Sequence, residues 1–133
     1  MYLLDTNICV AVINRNLKTL AKFDLKYSEC QVSTIAIAEL YKGVYCSQKF
    51  EYNLTRLTQF ISRISVIDFD INAAVEFGMI QRELREIGRP TGDLDAAIAA
   101  VARSRQDILV TDNTRHFINI PNLQWENWLE DLS

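Results

Sequence analysis

Short apolar segments alternating with amphipathic ones constrain this chain more than any other feature. Tyr2–Asp5, Gln31–Ser33, Ser65–Phe69 and Asp107–Val110 read as strands, and Leu123–Trp125 as a last edge strand. Between them, apolar residues at three- and four-residue spacing predict helices over 8–13, 18–25, 34–46, 53–64, 70–87 and 93–104. The 18–25 helix is expected to bury Leu17, Leu20, Ala21 and Leu25, and the 70–87 helix Ala73, Phe77, Ile80, Leu84 and Ile87. Asp70 suits an N-cap, Gly88 a C-terminal cap, and Pro90 stops the helix. Strands alternating with helices give a three-layer α/β/α fold around a mostly parallel sheet of four to five strands. The 133 residues fit one domain, 1–133.

Acidic residues fall at informative places in that pattern. Asp5 and Asp112 stand just after the first and fourth expected strands, within Leu4-Asp5-Thr6-Asn7 and Val110-Thr111-Asp112-Asn113. Glu39 lies about a turn and a half into the helix that follows the second strand. Asp95 lies in the first turn of the helix at Gly92-Asp93-Leu94-Asp95. The strands of a parallel sheet end at one edge, so Asp5, Glu39 and Asp112 can converge there; Asp95 joins if its helix starts at that edge. Carboxylates among apolar residues are costly unless a partner compensates them, and a shared divalent cation would serve. Taken singly, each acid has a plainer reading: Asp5 as an N-cap, Glu39 as a solvated helix residue, Asp112 as a turn residue. Asp93 reads as a helix cap before a ligand. Gly43, one turn beyond Glu39, leaves open space beside that carboxylate.

Composition narrows the function classes. Residues 1–66 hold eight Lys/Arg and five Asp/Glu, net +3; residues 67–133 hold six Arg and twelve Asp/Glu, net −6. The chain lacks the basic excess of a non-specific nucleic-acid binder, so any nucleic-acid affinity needs a local basic rim and a bound metal. Candidates for that rim are Arg15, Lys18, Lys22, Lys26, Lys42 and Lys49. The single histidine, His116, excludes multi-histidine metal sites and reads as a surface or loop residue. Three widely spaced cysteines, Cys9, Cys30 and Cys46, read as reduced structural thiols. No apolar run approaches the roughly 18 residues of a membrane span. A strand pattern beginning at residue 2 leaves no room for a signal peptide, so a cytoplasmic location is expected.

The order Leu4-Asp5-Thr6-Asn7, Ser33 with Ala38-Glu39-Leu40, Gly92-x-x-Asp95-x-x-Ile98-Ala99-Ala100, Val110-Thr111-x-Asn113, then Phe117 and a late Trp resembles the PIN-domain family, in its VapC-type toxin branch. The resemblance spans the whole length and implies a PIN-like fold. It implies Asp5, Glu39 and Asp95 as metal ligands for Mg²⁺ or Mn²⁺, with Asp112 the nearest carboxylate for a fourth position, and catalysis by these four acids. Thr6, Asn7, Asn113 and Asp93 are then supporting residues. It further implies an endoribonuclease acting on structured RNA of the translation machinery (tRNA or rRNA), neutralised by a cognate VapB-like antitoxin, and a homodimer. An antitoxin groove is expected near Ile8, Val12, Leu20 and Tyr41. Two other readings stay open: a catalytically degenerate, RNA-binding PIN domain, and a receiver-like Mg²⁺-binding signalling domain. An aspartate-nucleophile phosphatase is disfavoured, because Asn7 stands where its second acid belongs.

Overall fold

A computed structural model describes residues 1–130. All five expected strands form: β1 (Tyr2–Leu4), β2 (Cys30–Ser33), β3 (Ser65–Ile67), β4 (Ile108–Val110) and β5 (Gln124–Glu126). They make one sheet in the order β3-β2-β1-β4-β5, with every neighbouring pair parallel. The register pairs Leu3 with Gln31 on one side and Leu4 with Val110 on the other. Leu3, Leu4, Val32, Leu109 and Val110 are fully buried, as both faces of a covered parallel sheet require.

Among the described residues seven α-helices flank the sheet: α1 (Thr6–Ile13), α2 (Leu17–Leu25), α3 (Thr34–Tyr45), α4 (Phe50–Ile61), α5 (Ile71–Glu86), α6 (Asp93–Arg105) and α7 (Thr114–Phe117). Their contacts sort them into α1 to α4, which pack on one another, and α5 to α7, which pack around α6. Right-handed crossovers explain the sorting. The chain steps outward from β1 to β3, then back across β1 to β4, so the second set of connections covers the opposite face. Residues Ala96 to Ala102 of α6 are buried all round, and their small side chains let α5 and the sheet approach closely.

The caps expected at Asp70 and Gly88 form, and the one expected at Asp93 does not. The Asp70 carboxylate accepts from the Ala73 amide at 2.9 Å, Ser33 caps α3 through the Ala36 amide, and Gly88 takes the left-handed φ of +65° beyond α5. Asp93, read as a cap, is instead the first residue of α6. Gly92 takes the capping position, and the Asp93 carboxylate accepts from Gln81 Nε2 at 3.0 Å.

Two apolar stripes are displaced from expectation. On α2, Leu17 and Leu25 are more than four-fifths exposed, and the buried residues are Thr19 and Phe23. Phe23 turns that helix because its ring meets Phe60 and Tyr27, a larger apolar contact than two leucines at the helix ends. On α5, Ile87 lies past the last helical turn and is exposed. Helix α4 begins three residues before the sequence pattern suggests, and α7, a single turn, has too few residues to show periodicity. Cys9 and Cys30 are buried free thiols whose pKa values are pushed up by burial; Cys46 is free and exposed.

Candidate metal and nuclease site

The strand order reverses between β1 and β4, and a crevice opens outside the carboxyl ends of strands at such a switch point. Asp5 follows β1 there, and Thr111 and Asp112 follow β4. The Asp5 amide donates to the Val110 carbonyl at 2.9 Å, which continues the β1–β4 pairing into the site. Asp5 is the N-cap of α1 and only 3% exposed. Its Oδ1 accepts from the Thr6 amide and its Oδ2 from the Thr111 hydroxyl, both at 2.8 Å.

Burial pushes the Asp5 carboxyl up from 3.8 to about 6, against the Thr111 and Thr6 hydrogen bonds; repulsion from Asp95 and Glu39 raises it further. A buried carboxylate, held by two donors and opposed by two like charges, therefore marks the centre of this edge.

Glu39 arrives from α3. Ser33 ends β2 and caps the helix, which carries Glu39 back to the crevice, where its Oε1 accepts from the Thr6 hydroxyl at 2.8 Å. Thr6 thus ties two acids together, its amide to Asp5 and its hydroxyl to Glu39. Asp95 arrives on the first turn of α6, and its Oδ2 lies 2.8 Å from His116 Nδ1 on α7. The Asn7 side-chain oxygen accepts from the Asp112 amide at 3.2 Å, and the Asn113 amide donates to the Thr111 hydroxyl at 3.0 Å; these bonds hold the loop after β4.

Asp5, Glu39 and Asp95 share this edge. Asp112 stands on its exposed rim, where its carboxylate accepts from Asn127 at 3.1 Å. Asp93 faces Gln81. Among the described residues, no three acidic, histidine or cysteine side chains stand close enough, as placed, to hold one ion. Each acid is instead engaged separately, Glu39 by Thr6 and Asp95 by His116. The donor chemistry nonetheless fits a hard divalent cation: carboxylate oxygens, one of them buried with its charge opposed. A cation held there would relieve that repulsion.

Sequence reasoning missed two residues of this site. Thr111 is fully buried and fixes Asp5; its signal was its place directly after a strand in Val110-Thr111-x-Asn113, where it was given no role. His116 looked isolated in sequence, but buried Phe117 anchors α7 and sets its neighbour beside Asp95.

The model of the PIN domain matches residues 2–123. This chain belongs to the PIN-domain family. Among its relatives, the tRNA(fMet)-specific endonuclease VapC of Shigella flexneri is 41% identical over 128 residues, covering 96% of this chain and 97% of that protein. Ribonuclease VapC2 of Rickettsia felis is 40% identical over 135 residues, covering 96% and 98%. Solved structures of PIN-domain toxins superpose on it as closely. DNA-bound VapBC of Salmonella typhimurium gives a TM-score of 0.91 at 38% identity, covering 96% of this chain and 97% of that one. VapBC2 of Rickettsia felis, bound to a promoter DNA fragment, gives 0.90 at 38% identity, covering 96% and 98%. Membership in the PIN family sets aside the receiver-like and phosphatase readings.

Of the residues expected near an antitoxin groove, Val12 and Leu20 line a cavity of about 610 Å³ shared with α4, and Tyr41 is partly buried. Ile8 belongs to the core. A second open cavity, about 350 Å³, lies between α1, α3 and α4 and is lined by Val10, Ile13, Leu40, Val44 and Leu57. Its walls also include Thr6, Glu39 and Gly43, so it opens beside the acids. A Cβ added at Gly43 would meet nothing within 4 Å, the free space expected from the sequence. One residue of the expected basic rim, Lys26, lies away from the acids. Lys26 sits over the Tyr2 ring at the amino end of β1, opposite the end that carries Asp5. Arg89 and Arg115 line a cleft that also contains His116.

Proposed function

We propose that this chain is a divalent-metal-dependent endoribonuclease, the toxin of a VapBC-type toxin–antitoxin pair, acting on a tRNA. The observation that carries the reading is Asp5: a buried carboxylate at the sheet's switch point, opposed by Asp95 and Glu39. In this reading Asp5, Glu39 and Asp95 hold Mg²⁺ or Mn²⁺, and Asp112 is a fourth acid at the rim. Bound there, the cation supplies Lewis-acid polarisation of the phosphodiester and activation of the attacking water. Thr111 and the Thr6 amide fix the orientation of Asp5, and the Thr6 hydroxyl fixes Glu39. Asn7 holds the loop carrying Asp112. Arg89 and Arg115, beside His116, supply positive charge for the RNA backbone.

The tRNA substrate class is supported by the Shigella relative, whose name gives tRNA(fMet) as its target. A VapB-like antitoxin is supported by the solved VapBC complexes, and the cavity between α1, α3 and α4 offers apolar surface for it next to the acids.

Incubating the purified chain with total tRNA and Mg²⁺ or Mn²⁺, followed by mapping of new RNA ends, tests the reading. Discrete cleavage is expected, lost on chelation and reduced about a thousandfold or more by Asp95→Asn, which removes a ligand from a centre contributing several kcal/mol of transition-state stabilisation. Absence of cleavage with either metal would leave the degenerate RNA-binding reading in its place, and equal cleavage by the variant would remove Asp95 from the site.

A further inference from the structure

Tyr41, Tyr45 and Phe50 form a ladder of stacked rings where α3 ends and α4 begins. Successive ring centres are 6.3 Å apart, with planes inclined by 21° and 29°. Tyr41 is partly buried against the core, whereas Tyr45 is 62% exposed and Phe50 43%. The outer rings therefore present aromatic surface to solvent, where it contributes little to packing. One ridge of α3 joins this ladder to the acids. Glu39, Lys42 and Tyr45 stand at i, i+3 and i+6, positions that neighbour one another in turn on a helix surface. Six residues at 1.5 Å each put Tyr45 about 9 Å further along the axis than Glu39. Ala38, Lys42 and Tyr45 are exposed, so the ridge is open to solvent. Lys49 takes the N-cap position of α4 and directly precedes Phe50. Among the described residues, neither Lys42 nor Lys49 has a carboxylate within ion-pairing distance.

We infer that this ladder is a stacking platform for an unpaired stretch of the RNA substrate, with Lys42 and Lys49 taking backbone phosphates and Tyr45 and Phe50 taking bases. The inference rests on the ribonuclease reading above and states where the strand runs beyond the acids. Every base has a π face, so exposed rings hold an unpaired segment with little regard to its sequence. A paired helix hides those faces, which matches the platform to a single-stranded loop. The two lysines supply the local basic rim that a chain of net negative charge needs for RNA. A protein partner fits this face less well. Lysine and glutamate are depleted where proteins meet, yet exposed Lys42, Lys49 and Glu51 border the rings.

Cleavage kinetics of the full chain on tRNA test the platform, because Tyr45 and Lys42 are exposed and their replacement leaves the core untouched. Tyr45→Leu keeps apolar bulk without a ring and is expected to raise KM about fivefold or more, with kcat within about twofold of the parent. Tyr45→Phe keeps the ring and is expected to match the parent. Lys42→Gln is expected to raise KM and to lower the slope of log KM against log salt by about 0.7, the share of one phosphate contact on a single strand. In the Asp95→Asn chain, tRNA carrying 4-thiouridine is expected to photo-crosslink within residues 41–50. Parental KM in both Tyr45→Leu and Lys42→Gln, or crosslinks confined to other segments, would overturn the inference and leave the ribonuclease reading standing. Parental KM in Tyr45→Leu together with lost self-association or lost antitoxin binding would assign the face to a protein and overturn it as well. Failure of the unmodified chain either to bind or to cleave tRNA would overturn both readings.

Discussion

Helix α6 carries a buried charge cluster at each end, and the two are solved differently. At its carboxyl end, the Arg103 side chain is 8% exposed and lies between Glu76 at 2.5 Å and Glu83 at 2.8 Å, with a further bond to the Pro121 carbonyl. Burial alone would lower its pKa, but the two carboxylates outweigh that and leave it raised. Near the amino end, Asp5 is more deeply buried and faces Asp95 and Glu39, charges of its own sign. Around Arg103 the chain supplies compensation from α5. Around Asp5 it supplies one hydroxyl, an amide and more negative charge. In the first cluster the counter-charge comes from the chain itself, although Arg103 Nη2 is buried without a partner; in the second no counter-charge stands beside Asp5, as the proposed cation site requires. The contrast shows how to separate a structural buried charge from a functional one: the test is whether the chain supplies the counter-charge itself.

That contrast can be broken at either end. Arg103→Met keeps the aliphatic stem but strips two half-buried carboxylates of their partner. A loss of about 3 kcal/mol in unfolding free energy is expected, measured by urea denaturation, with RNA cleavage per folded molecule unchanged. Unaltered stability would mean that the Arg103 cluster is ornamental and the comparison empty.

At the other end, Asp5→Asn is expected to move stability the opposite way. Because the folded pKa is raised from 3.8 to about 6, the protonated carboxyl favours the folded state. Its contribution is fully present below about pH 4 and lost as pH rises through 6, an upper bound of about 3 kcal/mol at 1.36 kcal/mol per unit. In chelator, the parent chain is therefore expected to weaken between pH 4 and 7. Asp5→Asn should flatten that slope and be the more stable of the two at pH 7.5. A divalent cation should restore the parent but not the variant. Parallel pH profiles for the two proteins would show that Asp5 is not under the strain assigned to it.

The smallest effect sharpens the same point. Thr111→Val removes the hydroxyl that donates to Asp5 at 2.8 Å while keeping the buried shape. Since that bond lowers the Asp5 pKa, its loss is expected to move the pH dependence of metal-free stability upward. At neutral pH the cost is about 1–2 kcal/mol, the usual effect of leaving a buried acceptor unpaired.

Strand and helix order was legible because it rests on local pattern. The runs at Tyr2–Leu4 and Ile108–Val110 and the cap at Asp70 announce themselves within a few residues. The site was legible in its acids, since a carboxylate directly after a buried strand is conspicuous. It was not legible in Thr111 and His116, whose roles depend on atoms 106 and 21 residues away in the chain, at Asp5 and Asp95. The buried side of α2 was misjudged for the same reason. Leu17 and Leu25 mark an apolar stripe, but Phe60, on a distant helix, decides that Phe23 faces inward.

By itself, then, the sequence determined periodicity, caps and the positions of acids relative to strands, because each follows from backbone and side-chain preferences within about one turn or one strand. Tertiary structure decided the strand order that puts β4 beside β1, the burial that raises Asp5, and the partners that separate Arg103's satisfied charge from Asp5's opposed one. Those depend on desolvation and on distances between side chains far apart in the chain, quantities that exist only once the sheet has assembled.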